Sequence, residues 1–267
     1  WGAALATCSG MFASALAAFY PFFRGQMPLR FCRPRFHWGM VRKIVANGAP
    51  NFLNNIAGRI TSILMNFLLV RLGGESAVSI YGILMYAEGF IQPLLYGMCD
   101  SLQPAVGYNW GAGKFSRVRA IERYCFSASA LLSLLAAVLI FAFPGQIGVL
   151  FVSSGDAAFT AETAFALRLF SATYLTRWFS FATQSYMLAI ERAAEASVIS
   201  VSTALVFPVL LVAVLWPMGL TGLWLNFAGT SLLAGGLAAV VLCRFLKQMP
   251  EKDLEDRENG MSTAEEC

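Results

Sequence analysis

Long apolar runs separated by short polar segments recur along almost the whole chain. Crossing roughly 30 Å of hydrocarbon takes about 20 predominantly apolar residues in an α-helix. Seven stretches meet that requirement, at 2–23, 49–71, 77–105, 125–144, 165–190, 196–216 and 219–243. The pattern predicts an all-α membrane protein, a polytopic bundle of about seven transmembrane helices. The first stretch, WGAALATCSGMFASALAAFYPFF, has no basic segment before it, no initiating Met and no soluble domain after it. It therefore reads as a span cut from a longer protein rather than as a signal peptide.

Within the spans, polar residues fall at helical spacing and mark faces that lipid would not tolerate. Asn51, Asn55, Arg59, Ser62 and Asn66 share a face of the second span. Glu88, Gln92, Cys99 and Gln103 share one in the third, and Thr173, Tyr174, Arg177, Ser180 and Gln184 share one in the fifth. Three such stripes imply a common polar interior. An ionised group at mid-bilayer costs about 2.5–3.5 kcal/mol on insertion scales, so it pairs with another group or faces a water-filled path. Arg59, Glu88 and Arg177 each lie near the middle of a span. Two readings stay open: a structural ion pair that locks the bundle, or a substrate and ion-coupling cavity lined by Glu88, Arg59, Arg177, Gln92, Asn55, Asn66, Tyr174 and Gln184. Pro93 and Pro208 each remove one backbone donor inside a span and can kink it.

Composition agrees with the pattern: 58% of residues are apolar, 13% are charged and the mean hydropathy is +0.64. Charge adds an orientation. Segments after the first, third, fifth and seventh spans carry Arg24, Arg30, Arg33, Arg35, Arg42 and Lys43, then Lys114, Arg117, Arg119 and Arg123, then Arg192, then Arg244, Lys247 and Lys252. The intervening segments carry no Lys or Arg and offer Glu75 and Asp156 instead. By the positive-inside rule the basic set faces the cytoplasm, and the C-terminus with it. These basic segments lie between spans with no separate folded domain, which argues against nucleic-acid binding. The tail KDLEDRENGMSTAEEC is polar and acidic and reads as disordered. The six cysteines (Cys8, Cys32, Cys99, Cys125, Cys243, Cys267) show no paired spacing, and His37 stands alone, so no metal site, disulfide framework or hydrolytic triad can be drawn.

The loop QPAVGYNWGAGKFSRVR, residues 103–119, ends a run of small residues on Gly113-Lys114. A phosphate-binding loop would need glycine where Tyr108 stands and a hydroxyl where Phe115 stands, so nucleotide binding is rejected. Glycines 107, 111 and 113 are expected instead to break the helix and permit a tight turn, followed by a basic segment at the headgroups. The series Gln103, Pro104, Tyr108, Asn109, Gly111 and Ala112 followed by basics resembles a loop in the C-terminal half of multidrug and toxic compound extrusion (MATE) transporters. Gly48-x-Pro50 opening a span and the turn at Ala189-Ile190-Glu191-Arg192 agree with the resemblance.

The resemblance implies a secondary transporter of two six-helix bundles that exports drugs or other organic compounds against protons or sodium. It implies no covalent chemistry and no cofactor beyond the coupling ion. On that footing residues 1–23 are the last helix of a missing N-terminal bundle, 24–48 a basic cytoplasmic linker, 49–244 the second bundle and 245–267 the tail. The expected partners are the lipid bilayer, a small organic substrate and the missing bundle, in the bacterial cytoplasmic (inner) membrane. A known branch of the family carries a glutamate where this chain has Gly58, so that cation site is not carried over. Either Glu88 is the coupling carboxylate, or coupling lies in the missing half and the arginines take an anionic or zwitterionic substrate. A lipid-linked oligosaccharide flippase of the same broad superfamily is the alternative.

Overall fold

The computed structural model describes residues 2–24, 36–151 and 157–249. Arg30, Cys32, Arg33, Arg35, Asp156 and the tail from residue 250 lie outside the described residues. The chain divides into two compact units, residues 1–42 and 43–267. In the first, α1 (Gly2–Phe23) is apolar and exposed on every side, with Leu5, Met11, Phe12 and Leu16 uncovered.

The second unit is a bundle of helices. α2 (Trp38–Ser101) carries both the second and third expected spans and is interrupted at Gly74, whose φ of 65° and ψ of −154° are not helical. Asn54 Nδ2 donates to Tyr96 Oη at 3.4 Å across 42 residues. A straight helix would hold residues that far apart in sequence at roughly 60 Å, given about 1.5 Å of rise per residue. The chain therefore doubles back at Gly74 into a hairpin, as the gap between the two apolar runs predicts.

The segment after this hairpin differs from expectation. Helix continues as α3 (Gln103–Gly111), so Gly107 does not break it. Gly107 serves close packing instead: a Cβ there would lie 3.1 Å from the Ala189 carbonyl oxygen. The chain turns only at Gly113, where φ is 69°. Gly113 N–H donates to the Trp110 carbonyl at 3.0 Å and Lys114 N–H to the Asn109 carbonyl at 2.9 Å. This pair of bonds closes a helix C-terminus around a left-handed residue, and glycine takes that conformation without a Cβ clash. The Gly-Lys step is therefore a helix stop. α4 (Phe115–Ala142) starts at once, so the basic residues ride on the same helix as the fourth span.

The fifth span also differs. It is two helices, α6 (Ala157–Ser171) and α7 (Tyr174–Ala189), preceded by a short α5 (Pro144–Phe151) that the apolar pattern did not indicate. At the junction Thr173 N–H donates to Phe170 at 2.9 Å and Leu175 N–H to Ala172 at 3.2 Å, both reaching back three residues. The helix tightens for one turn there without any proline or glycine. α7 ends in the expected tight turn, with Glu191 at φ 60° and Arg192 N–H on the Met187 carbonyl at 2.8 Å.

The sixth span is α8 (Ala193–Val201), a wide π-helical turn (Ser202–Val206) and α9 (Phe207–Leu215). After a single 3₁₀ turn at Trp216–Met218, α10 (Gly219–Gln248) forms the seventh. Pro208 has no N–H for the Ala204 carbonyl one turn earlier. Thr61 Oγ1 donates to that carbonyl at 2.5 Å from the other side of the cavity. Hydrogen bonds between membrane helices are worth about 0.6 kcal/mol on average and up to roughly 1.7. Thr61→Val, which keeps the shape and deletes the donor, is expected to lose an amount in that range. A thermal midpoint unchanged from wild type in lipid nanodiscs would show that the bond does not tie the helices.

α7 packs on α4 and α10 and forms the centre of the unit. One buried cluster gathers Leu69, Ile80, Leu84, Leu95, Phe170, Tyr174 and Trp224, and a second gathers Val106, Val118, Met187, Ala196 and Phe245. The outside keeps large apolar side chains uncovered, among them Ile63, Phe67, Phe90, Leu131, Val138 and Val214. Four continuous helical stretches among the described residues are long and apolar enough to cross a membrane, and two of them contain a chain reversal or turn. The chain is an all-α membrane protein.

Candidate functional site

Residues from both halves of α2, from α7, from the π-turn and α9, and from α10, many of them polar, line a cavity of about 390 Å³. Its size falls within the range of small-molecule pockets, roughly 300–1,000 Å³. Helical spacing puts Asn55, Arg59 and Ser62 on one wall and Glu88 and Gln92 on the facing wall of the hairpin, with Arg177 entering from α7.

The charged residues are not equivalent. Glu88 is 7% exposed. Its Oε1 lies 2.5 Å from an Arg177 Nη, and its Oε2 accepts a hydrogen bond from Tyr174 Oη at 2.5 Å. Arg177 also lies over the Phe181 ring at 5.2 Å, and Phe181 stacks on Tyr96 with ring centres 4.4 Å apart. Oε2 is thus hydrogen-bonded, while Oε1 is held by the ion pair alone, without a hydrogen bond. Arg177 Nε remains buried without an acceptor. Arg59 is exposed on the cavity wall, with no ion pair or hydrogen bond among the described residues.

Of the eight residues expected to line the interior, Glu88, Arg59, Arg177, Gln92 and Asn55 line this cavity. Tyr174 is fully buried behind Glu88 and reaches the cavity only through it. Asn66 does not line it and donates to the Ser62 carbonyl of its own helix at 2.8 Å. Gln184 is buried about three turns along α7 from its start and lines no part of the cavity. The stripe on α7 is real, but the helix passes through the bundle centre, so its lower residues meet other helices.

Wall residues that the sequence reading passed over include Asn54, Thr61, Tyr81 and Tyr96 on α2 and, in the last two spans, Thr203, Asn226, Thr230 and Ser231. Asn226 Nδ2 donates to the Pro208 carbonyl at 2.8 Å, and Thr230 Oγ1 to Asn226 Oδ1 at 3.2 Å. Their four-residue spacing in an otherwise apolar span was the available signal. A further buried carboxylate, Glu122, lies on α4 near Tyr186 and Cys125 and takes no part in the cavity.

Near the end of the third span, Gln103 Nε2 donates to Asp100 Oδ1 at 2.8 Å and to Ser185 Oγ at 3.0 Å, which ties this end of the hairpin to α7. Pro104 stands in the first turn of α3, where no intrahelical N–H is needed. Asn109 donates to the Ala105 carbonyl at 2.8 Å, Tyr108 is exposed and Gly111 closes the helix.

Residues 50–214 match the family MatE. The chain belongs to that family. A MatE relative, the multidrug export protein MepA of Staphylococcus aureus strain N315, is 24% identical over 97% of this chain and 57% of its own length. MepA of Staphylococcus saprophyticus is 24% identical over 92% of this chain and 54% of its own length. The chain therefore spans about half the length of the curated relatives it matches and corresponds to the C-terminal half of a MATE transporter. Among solved structures, a MATE protein in complex with MaL6 superposes with a TM-score of 0.84 at 19% identity, over 93% of this chain and 57% of that one. A MOP superfamily transporter from Pyrococcus furiosus Vc1, described by the reverse polarity of its binding pocket, gives 0.82 at 19% identity over 91% and 56%.

Proposed function

We propose that this chain forms the C-terminal half of an ion-coupled exporter of small organic compounds in a bacterial cytoplasmic membrane. Residues 1–23 act as the last helix of the first bundle, 24–48 as a cytoplasmic linker, 49–244 as the second bundle and 245–267 as a cytoplasmic tail. The observation that carries the reading is the Glu88–Arg177 pair on the cavity wall, backed by the Tyr174 hydroxyl behind it.

A carboxylate held by a guanidinium and a phenol can exchange partners. A proton or sodium ion arriving at Glu88 competes with Arg177, and release of the arginine changes the charge that faces the cavity. That change has a different free energy when the cavity opens to one side of the membrane or the other, so ion binding shifts the balance between the two states. Rocking of one bundle against the other then carries the cavity's contents across. No bond in the substrate is made or broken.

Efflux of fluorescent organic dyes, cationic and anionic, from cells expressing the complete reading frame under imposed proton or sodium gradients tests the reading. Glu88→Gln keeps one acceptor oxygen for Arg177 and offers an amide N–H that the Tyr174 hydroxyl can accept, but it cannot change charge. With efflux read per molecule of protein in the membrane, it is expected to lose at least about fivefold of the gradient-driven efflux, the lower end of typical coupling energies. Wild-type efflux from Glu88→Gln under both gradients would place coupling elsewhere.

A further inference from the structure

Which hydrogen-bonding groups of the cavity are already engaged decides what it can still hold. Thr61 and Asn226 donate to backbone carbonyls of α9 and the turn before it. Asn55 and Thr203 donate to carbonyls of their own helices, Asn54 to Tyr96 and Thr230 to Asn226. Glu88, the single carboxylate on the wall among the described residues, has one oxygen against Arg177 and the other on Tyr174. Among the charged groups of the wall, what remains unengaged is the Arg59 guanidinium, with neutral Gln92, Ser62 and Ser231 beside it. Two arginines face one carboxylate, so the wall also carries an excess positive charge.

Beside these donors, two aromatic pairs line the cavity. Tyr96 and Phe181 stack at 4.4 Å, and Tyr81 and Phe227 stack at 6.1 Å with ring planes 22° apart. Aromatic faces next to a free guanidinium suit a ligand with a flat apolar body and an anionic head. A guanidinium fork recognises carboxylate and phosphate oxygens in pairs.

We infer that the cavity binds an aromatic or similarly flat organic anion, with Arg59 as the anchoring residue for its carboxylate or phosphate head. The inference rests on the transport reading and names its substrate class. An organic cation meets the excess positive charge and finds no free carboxylate. Arg177 stays committed to Glu88, which leaves Arg59 as the residue that meets the head.

The test is a binding measurement without any gradient, so its outcome is separate from that of the coupling experiment. The protein, expressed from its complete reading frame and held in lipid nanodiscs, is titrated calorimetrically with benzoate, phenyl phosphate, inorganic phosphate and tetraphenylphosphonium. The two aromatic anions are expected to bind, the tighter of them identifying the head group, while inorganic phosphate binds more weakly for want of the ring contacts. Arg59→Gln should weaken the better anion by about tenfold to a hundredfold, as loss of a charge-assisted hydrogen bond implies, and Arg59→Lys should recover part of it. Arg59 is exposed, so neither change threatens the fold. Binding of tetraphenylphosphonium in place of both anions would overturn the inference. So would anion binding that Arg59→Gln leaves unchanged, or no anion binding by a folded protein, which would mean a carboxylate elsewhere in the protein already occupies Arg59.

Discussion

Arg177→Met is expected to be the most damaging single change in the bundle, at about 3–5 kcal/mol, the range for breaking a buried ion pair from one side. Methionine fills the volume over Phe181 but leaves Glu88, 7% exposed, with Tyr174 as its remaining polar contact. Adding Glu88→Gln to the same chain removes the stranded charge and should restore most of the loss, because replacing both partners avoids the desolvation cost that one leaves behind. Thermal midpoints of wild type, both single variants and the double variant in one detergent give the comparison. If the double variant is as unstable as Arg177→Met, the damage comes from lost packing around the guanidinium and the pair is not what holds α2 to α7.

The second large effect concerns a residue that touches nothing. Gly74 has open space where a Cβ would go, yet its φ of 65° and ψ of −154° lie in a region that essentially only glycine occupies. Gly74→Ala is expected to cost about 1–3 kcal/mol through backbone strain alone. Gly82 supplies the control, since it lies within a regular helix and also has open space around its missing Cβ. There the same substitution should stabilise by roughly 0.5–1 kcal/mol, because alanine loses less backbone freedom in a helix. The same added methyl thus carries opposite signs eight residues apart. Equal shifts in thermal midpoint at the two positions would show that the hairpin turn tolerates an ordinary residue.

Much of this architecture is legible in the chain because lipid imposes a length on every apolar run. All seven expected spans fall on helices, and the reversals near Gly74 and after Met218 lie where the runs are interrupted. Features set by one helix against another were not legible. Nothing at Ala172-Thr173 marks a break, since neither residue resists helix; the tightening there is a property of the packed helix. Gly107 resembles a helix stop in sequence, and only the nearness of Ala189 shows it to be a packing glycine. The polar stripes identify which helices face inward, but they do not tell which of two arginines Glu88 will choose. That choice depends on side-chain reach across the hairpin, and it leaves Arg59 unpaired among the described residues while Arg177 is bound.

The bond between Thr61 and Ala204 has one side-chain end and one main-chain end. The acceptor is a carbonyl that Pro208 leaves without its usual donor, and no substitution at Ala204 can remove it. A survey that replaced each wall residue in turn by alanine would register Thr61 and pass over Ala204, although the two make a single contact. Part of this cavity's surface is therefore invisible to side-chain genetics at its own position, and changes at Pro208, which alter where main-chain donors fall, are the way to reach it.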